Sequence, residues 1–122
     1  MELNEYQDKA MSTCMPSCDN FSYMMLNLVG EVGELASRVA KLIRKDEVVI
    51  GEINNHLVPK MPFDRWMEQN DLLMKEAGDI LWQLSGVCKA MGWTLEEVAQ
   101  ENLNKLASRQ RRGVIDGDGD LR

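Results

Sequence analysis

Between Asn20 and Arg44 apolar residues recur at intervals of three and four: Met25, Leu28, Val29, Val32, Leu35, Ala36, Val39, Leu42 and Ile43. A helix advances about 100° per residue, so this spacing gathers the apolar side chains on one face and predicts a long amphipathic helix. Asp19 or Asn20 supplies its cap, because either side chain can accept from a first-turn amide. A helix of that length needs partners to cover its stripe, and the chain provides them. A first helix is expected over about Leu3 to Thr13, ended before Pro16, which cannot continue it. A third is expected from a cap at Asp64 to Met91, closed by Gly92. Thr94 and Glu97 form a capping box for a fourth, which runs to about Arg111 and is closed by Gly113. Residues from about Lys45 to Pro62, with Gly51, Asn54, Asn55, Pro59 and Pro62, break the pattern and read as a connection holding one short helix or extended piece. The segment from Gly113 to Arg122, with three glycines and three aspartates, reads as turn-rich. Four helices on short loops predict an all-α, four-helix bundle-like unit, and 122 residues suit one domain over 1–122.

Composition narrows the partners. Twenty acidic residues against fourteen basic ones give a net charge of −6, the wrong sign for a general nucleic-acid binder. A small anionic substrate stays open, provided a metal ion mediates the contact. Three cysteines are too few for a disulfide framework, which favours a reducing compartment. No secretory h-region follows Met1, and no apolar run reaches the eighteen or so residues that cross a bilayer, so a cytoplasmic location is expected.

The acids are placed in pairs. Glu31 and Glu34 lie three apart on the second helix, and Glu76 and Asp79 three apart on the third. An i, i+3 pair projects from one face and can converge on a shared point. On the helical wheel Glu31 sits at the edge of the apolar stripe and Glu34 further round. Glu76 and Asp79 border the stripe of Leu73, Ala77, Ile80, Leu84 and Val87. When the stripes pack, the four carboxylates can face one another at the rim of the core. Unscreened, they would repel, so a cation between them is implied, and hard oxygen donors favour Mg²⁺ or Mn²⁺. Gly30, Gly33 and Gly78 flank the acids. Glycine inside a helix costs about 0.5–1 kcal/mol relative to alanine, so close helix contact or close ligand approach is expected there. Acids on helices are usually solvated surface, and one such pair arises often by chance. Two pairs on two apolar-bordered helices are far more specific.

On the fourth helix Asn102, Lys105 and Arg109 fall within about 60° of one another, beside Leu95, Ala99, Leu103 and Leu106. An amide, an ammonium and a guanidinium on one face suit phosphate oxygens. The plainer reading is that Lys105 and Arg109 serve solubility and the helix dipole.

Gly30-Glu31-Val32-Gly33-Glu34-Leu35, Glu76-Ala77-Gly78-Asp79-Ile80-Leu81-Trp82 and Asn102-x-x-Lys105-Leu106-x-x-x-Arg109 together resemble the MazG-like all-α nucleoside triphosphate pyrophosphohydrolases. The resemblance covers Gly30 to Arg109, with weaker likeness at Tyr6-Gln7 and from Arg112-Gly113 through Asp120, as in short single-domain and phage-type members. It implies cleavage of a nucleoside triphosphate between the α and β phosphates, to a monophosphate and pyrophosphate, with deoxynucleotides favoured. It implies Glu31, Glu34, Glu76 and Asp79 as Mg²⁺ ligands (Mn²⁺ a possible substitute), with Glu31 or Glu34 orienting or deprotonating the attacking water. Asn102, Lys105 and Arg109 would hold the polyphosphate. It implies assembly as a homodimer or homotetramer with sites completed between subunits, while the net charge and the lack of a long apolar run speak against a nucleic-acid polymer or membrane partner. Forty-one residues lie between Glu34 and Glu76, more than is typical of the family, and the excess falls around Lys45 to Pro62. Substrate selectivity is therefore less transferable than metal chemistry.

Other readings are weaker. Cys14 and Cys18 could join Cys88 and His56 around zinc, but the last two are scattered. A ferritin-like di-iron site needs histidines that neither acidic helix carries. Tyr6, Phe21, Phe63, Trp66, Trp82 and Trp93 are candidates for stacking a base, with Trp82 expected in packing and Gln7 within reach of a nucleoside. The Gly-Asp-Gly-Asp tail lacks the spacing of an EF-hand. Two alternatives remain: a catalytically silent helical interaction or regulatory protein, and a guanosine polyphosphate or phosphoribosyl-ATP hydrolase on the same scaffold. Retention of all seven polar residues argues against the silent protein.

Overall fold

Two long helices, α2 (Phe21–Arg44) and α3 (Phe63–Met91), run antiparallel and carry most of the inter-helix packing. The computed structural model describes residues 1–53 and 55–119. The other elements are α1 (Leu3–Met11), a 3-10 turn at Pro16–Cys18, strands β1 (Val48–Ile50) and β2 (Leu57–Pro59), and α4 (Leu95–Arg112). The architecture is all-α apart from one small hairpin. Among the described residues no helix is long and apolar enough to cross a membrane.

Local chemistry sets most of the helix ends. The Asn20 side chain accepts from the Tyr23 amide at 2.8 Å and starts α2. The Thr94 hydroxyl accepts from the Glu97 amide, and the Glu97 carboxylate accepts from the Thr94 amide, so the expected capping box opens α4. Gly92 and Gly113 close α3 and α4 in left-handed conformations, φ 75° and 68°. Two ends differ from expectation. α1 stops at Met11 rather than Thr13, because the Ser12 and Thr13 hydroxyls bond back to the Lys9 and Ala10 carbonyls. α3 is capped by Pro62, not Asp64: the Pro62 carbonyl accepts from the Trp66 amide, and Asp64 lies in the first turn, where its charge favours the dipole.

The connection after α2 is a two-stranded antiparallel hairpin, with Val48 opposite Pro59, Val49 opposite Val58 and Ile50 opposite Leu57. Val48 is fully buried. The Glu47 amide donates to the Leu42 carbonyl, the Lys60 amide donates to the Glu47 carbonyl, and Arg65 Nε meets Glu47 Oε2 at 2.6 Å. The hairpin is thereby tied to the end of α2 and the start of α3. Asn54 of the expected connection and Asp120, Leu121 and Arg122 of the expected tail lie outside the described residues.

The buried stripe of α2 is also displaced from the one expected. Met24 (1% exposed) and Leu42 are buried and Leu28, Leu35 and Val39 half-buried, whereas Val29 and Val32 are 68% and 48% exposed and Met25 and Ile43 are exposed too. The turn is set by Gly86 on α3: a Cβ there would overlap Met24 Sδ and lie 2.8 Å from Met24 Cγ. Met24 packs with Ala10, Met11 and Val87, backed by Tyr6, Cys14, Leu28 and Trp82. On α3 Ala77 and Leu84 are exposed, while Gln83 is buried and joins α2 through Asn27 Nδ2 (2.9 Å) and the Met24 carbonyl (3.3 Å). α4 packs mainly against α1. Gln7 makes that joint: its Nε2 donates to the Trp93 carbonyl at 3.1 Å and its Oε1 accepts from the Leu95 amide at 2.8 Å. Gln7 is therefore a buried strut, not a group free to reach a nucleoside. Trp82 donates to the Ala10 carbonyl and Thr13 Oγ1, in keeping with its expected place in packing.

Candidate metal and phosphate site

Moving away from the Met24–Gly86 crossing along α2 and α3, the amide pair Asn27–Gln83 comes first and the acids follow. Glu31, Glu34 and Glu76 each offer a carboxylate oxygen, all within 4.8 Å of one another. Glu31 occupies a core-facing position of α2 between Leu28 and Leu35 and is half-buried, Glu34 is exposed, and Glu76 is buried on α3. Asp79 follows Glu76 by three residues and is exposed; it lies outside this close trio, yet near enough for its charge to act on Glu31 and on the Tyr6 phenol.

The electrostatics are unfavourable without a cation. Burial, then the charges of Glu34, Asp79 and Glu76, push the Glu31 carboxyl above its ordinary value. Glu31 Oε2 and Glu76 Oε2 are buried and accept no hydrogen bond. A buried acceptor without a donor costs on the order of 1–3 kcal/mol, so two side by side demand an explanation. Partial compensation comes from a residue the sequence reading did not single out: Arg38 Nε donates to Glu76 Oε1 at 2.8 Å. Arg38 stands one helical turn beyond Glu34, yet its partner is Glu76 on α3, so spacing along α2 carried no signal of this contact. A divalent ion fits the remainder. The donors are hard oxygens, more than one is orphaned, and their spacing allows shared coordination by Mg²⁺ or Mn²⁺.

Of the two expectations for the glycines beside the acids, close helix contact is not met among the described residues. A Cβ at Gly33 or Gly78 would meet nothing within 4 Å, and one at Gly30 would meet only Asn27 Oδ1 at 3.5 Å. No neighbouring helix presses on them within the protomer. Close approach belongs to Gly86, which the sequence reading passed over.

The polar trio of α4 is not all in one place. Asn102 and Lys105 are exposed and line a cleft of about 730 Å³ with Trp93, Glu97, Val98 and Glu101, a lining that contains none of the four acids. Arg109 is 4% exposed, and its Nη2 donates to the Gly119 carbonyl at 3.4 Å. The chain thus gathers three acids closely and keeps Asp79 in electrostatic range, while Asn102 and Lys105 line a cleft that none of the four acids enters and Arg109 is buried. Exposed Leu103 (59%) and Leu106 flank that trio.

Comparison with known proteins bears on the same residues. Residues 20–114 match the MazG nucleotide pyrophosphohydrolase domain, a span that contains all four acids and the α4 trio. The Gene 37 protein of Mycobacterium phage L5 is 35% identical over 129 residues, an alignment that covers 100% of both chains; its name states no activity. No solved structure matches the chain. A family match across most of the length, joined to a relative aligned from end to end, means that the chain belongs to the MazG nucleotide pyrophosphohydrolase family.

Proposed function

We propose that the whole chain, 1–122, acts as one Mg²⁺-dependent nucleoside triphosphate pyrophosphohydrolase unit with deoxynucleoside triphosphates as favoured substrates. The observation that carries this reading is the Glu31–Glu34–Glu76 trio with two buried, unpartnered carboxylate oxygens, in a chain of this family. Glu31, Glu34, Glu76 and Asp79 hold the metal, with Mn²⁺ as a substitute. The bound ion neutralises phosphate charge and makes water a competent nucleophile near neutral pH. The residues of the chain do the rest. Glu31 or Glu34 orients the water that attacks the α-phosphorus and accepts its proton. The bond from that phosphorus to the αβ-bridging oxygen breaks, and its electron pair leaves on pyrophosphate. Positioning and charge compensation supply most of the acceleration in such a displacement.

Asn102, Lys105 and Arg109 hold phosphates in a site completed by a second copy, so the working form is a homodimer or homotetramer. Two features support this: the cleft lined by Asn102 and Lys105 contains none of the four acids, and exposed Leu26, Val29, Val32, Leu84, Leu103 and Leu106 leave apolar surface for a partner. Free cysteines agree with a reducing cytoplasm.

The test is a panel of NTPs and dNTPs with Mg²⁺ and with Mn²⁺, with phosphorus products identified by ³¹P NMR. Pyrophosphate plus monophosphate is expected. Orthophosphate would refute the cleavage position, and an inert panel would transfer the reading to a silent interaction protein. Light scattering reads the assembly, and a monomer at micromolar concentration would refute site completion between copies.

A further inference from the structure

Beyond Glu34, α2 carries Ser37, Arg38 and Lys41, which with Glu34 and Glu76 line an open cleft of about 430 Å³. That volume lies in the range of small-ligand sites, about 300–1,000 Å³. The lining has no aromatic and no aliphatic residue, so it offers a nucleobase nothing to stack on. It offers an anion a good deal. Arg38 engages Glu76 through Nε alone among the described residues, and its side chain is 46% exposed, so the outer guanidinium edge is available. Lys41 is exposed and makes no ion pair among the described residues. Two cations therefore border one side of the acidic trio, on the same helix as Glu31 and Glu34.

We propose that this cleft is the subsite for the pyrophosphate half of the substrate. Arg38 bridges Glu76 and a phosphate oxygen, Lys41 makes a second charge-assisted hydrogen bond, and the Ser37 hydroxyl donates a third. When the αβ-bridging bond breaks, charge accumulates on the departing pyrophosphate, and Arg38 and Lys41 oppose it there. The nucleoside half lies on the other side of the acids. This assignment rests on the pyrophosphohydrolase reading above.

Calorimetric titration of the Mg²⁺-loaded protein with inorganic pyrophosphate, and separately with a nucleoside monophosphate, tests it. Arg38→Gln and Lys41→Gln are each expected to weaken pyrophosphate binding about tenfold while leaving the monophosphate within about twofold. Lys45→Gln removes the same charge one turn beyond Lys41, outside the cleft lining, and is expected to change neither. Unchanged pyrophosphate affinity in the two cleft variants, an equal loss in Lys45→Gln, or a loss confined to the monophosphate would each overturn the subsite. Mn²⁺ affinity of Lys41→Gln is expected to match the parent, which separates lost phosphate contact from a damaged metal site. The two readings fail separately. If the parent binds pyrophosphate through Arg38 and Lys41 but releases none from any triphosphate, the activity falls and the subsite stands. If the parent releases pyrophosphate and the variants bind it undiminished, the subsite alone falls.

Discussion

The same two helices meet twice, and the two meetings obey different rules. Near the start of α2, Met24 fills the space left by Gly86, Asn27 donates to Gln83, and Gln83 donates to the Met24 carbonyl. Further along α2, near Glu76 of α3, three carboxylates crowd together and two buried oxygens accept nothing. The first contact is what a stable helix pair looks like, with interior space filled and polar groups paired. The second is costly unless a cation sits among the carboxylates. Stability and chemistry are separated along one pair of helices.

That contrast can be broken from either end. Glu34→Gln removes an exposed carboxylate, one of the proposed metal ligands, at the costly end and is expected to lower turnover on the order of a hundredfold or more, with helix content by circular dichroism unchanged. Gly86→Ala attacks the packed end, where the new methyl meets Met24 in a full interior. A loss of about 1–3 kcal/mol in urea unfolding is expected. Glu31→Gln should separate the two ends most clearly. It removes a charge that burial and three acidic neighbours disfavour, so the metal-free variant is expected to melt roughly 2–5 °C higher than the parent while it loses activity. A lower melting temperature would mean that the Glu31 charge contributes to the fold.

The smallest effect concerns the hairpin. The hydrogen bond from Arg65 holds the Glu47 carboxyl below its usual value. A depressed acid contributes stability above its unfolded pKa and loses it as pH falls through the folded one. Amide exchange in β1 and β2 is therefore expected to accelerate relative to the rest of the fold as pH drops below the ordinary carboxylate range. Glu47→Gln should flatten that dependence.

Much of the fold was legible because it is local. The Asn20 cap, the Thr94–Glu97 box, Gly92 and Gly113 are decided within a few residues, and their neighbours in sequence are their partners in space. The hairpin was not legible in the same way, since strands of three residues carry too little alternation to be distinguished from a loop. Periodicity also could not choose which edge of a broad apolar stripe turns inward; Gly86, on another helix, decides it. At the candidate site, spacing brought out the acidic pairs but not Arg38, whose bond to Glu76 spans 38 positions. The packing of α4 mainly on α1 is likewise a matter of which helix meets which, and wheel positions do not encode it.

The hairpin clamp gives the chain an uneven tolerance for changes in length. Glu47 holds Arg65 and the Lys60 amide, so the stretch from the last turn of α2 to the first turn of α3 works as a ruler between the acidic pairs. Residues added at the hairpin tip, beyond the Ile50–Leu57 pairing, leave that ruler untouched. A single residue added between Lys60 and Phe63 instead turns α3 by about 100° relative to the clamp and carries Glu76 away from Glu31 and Glu34. Natural variation in loop length should therefore collect at the tip, where the connection can lengthen without disturbing the phase of the two helices.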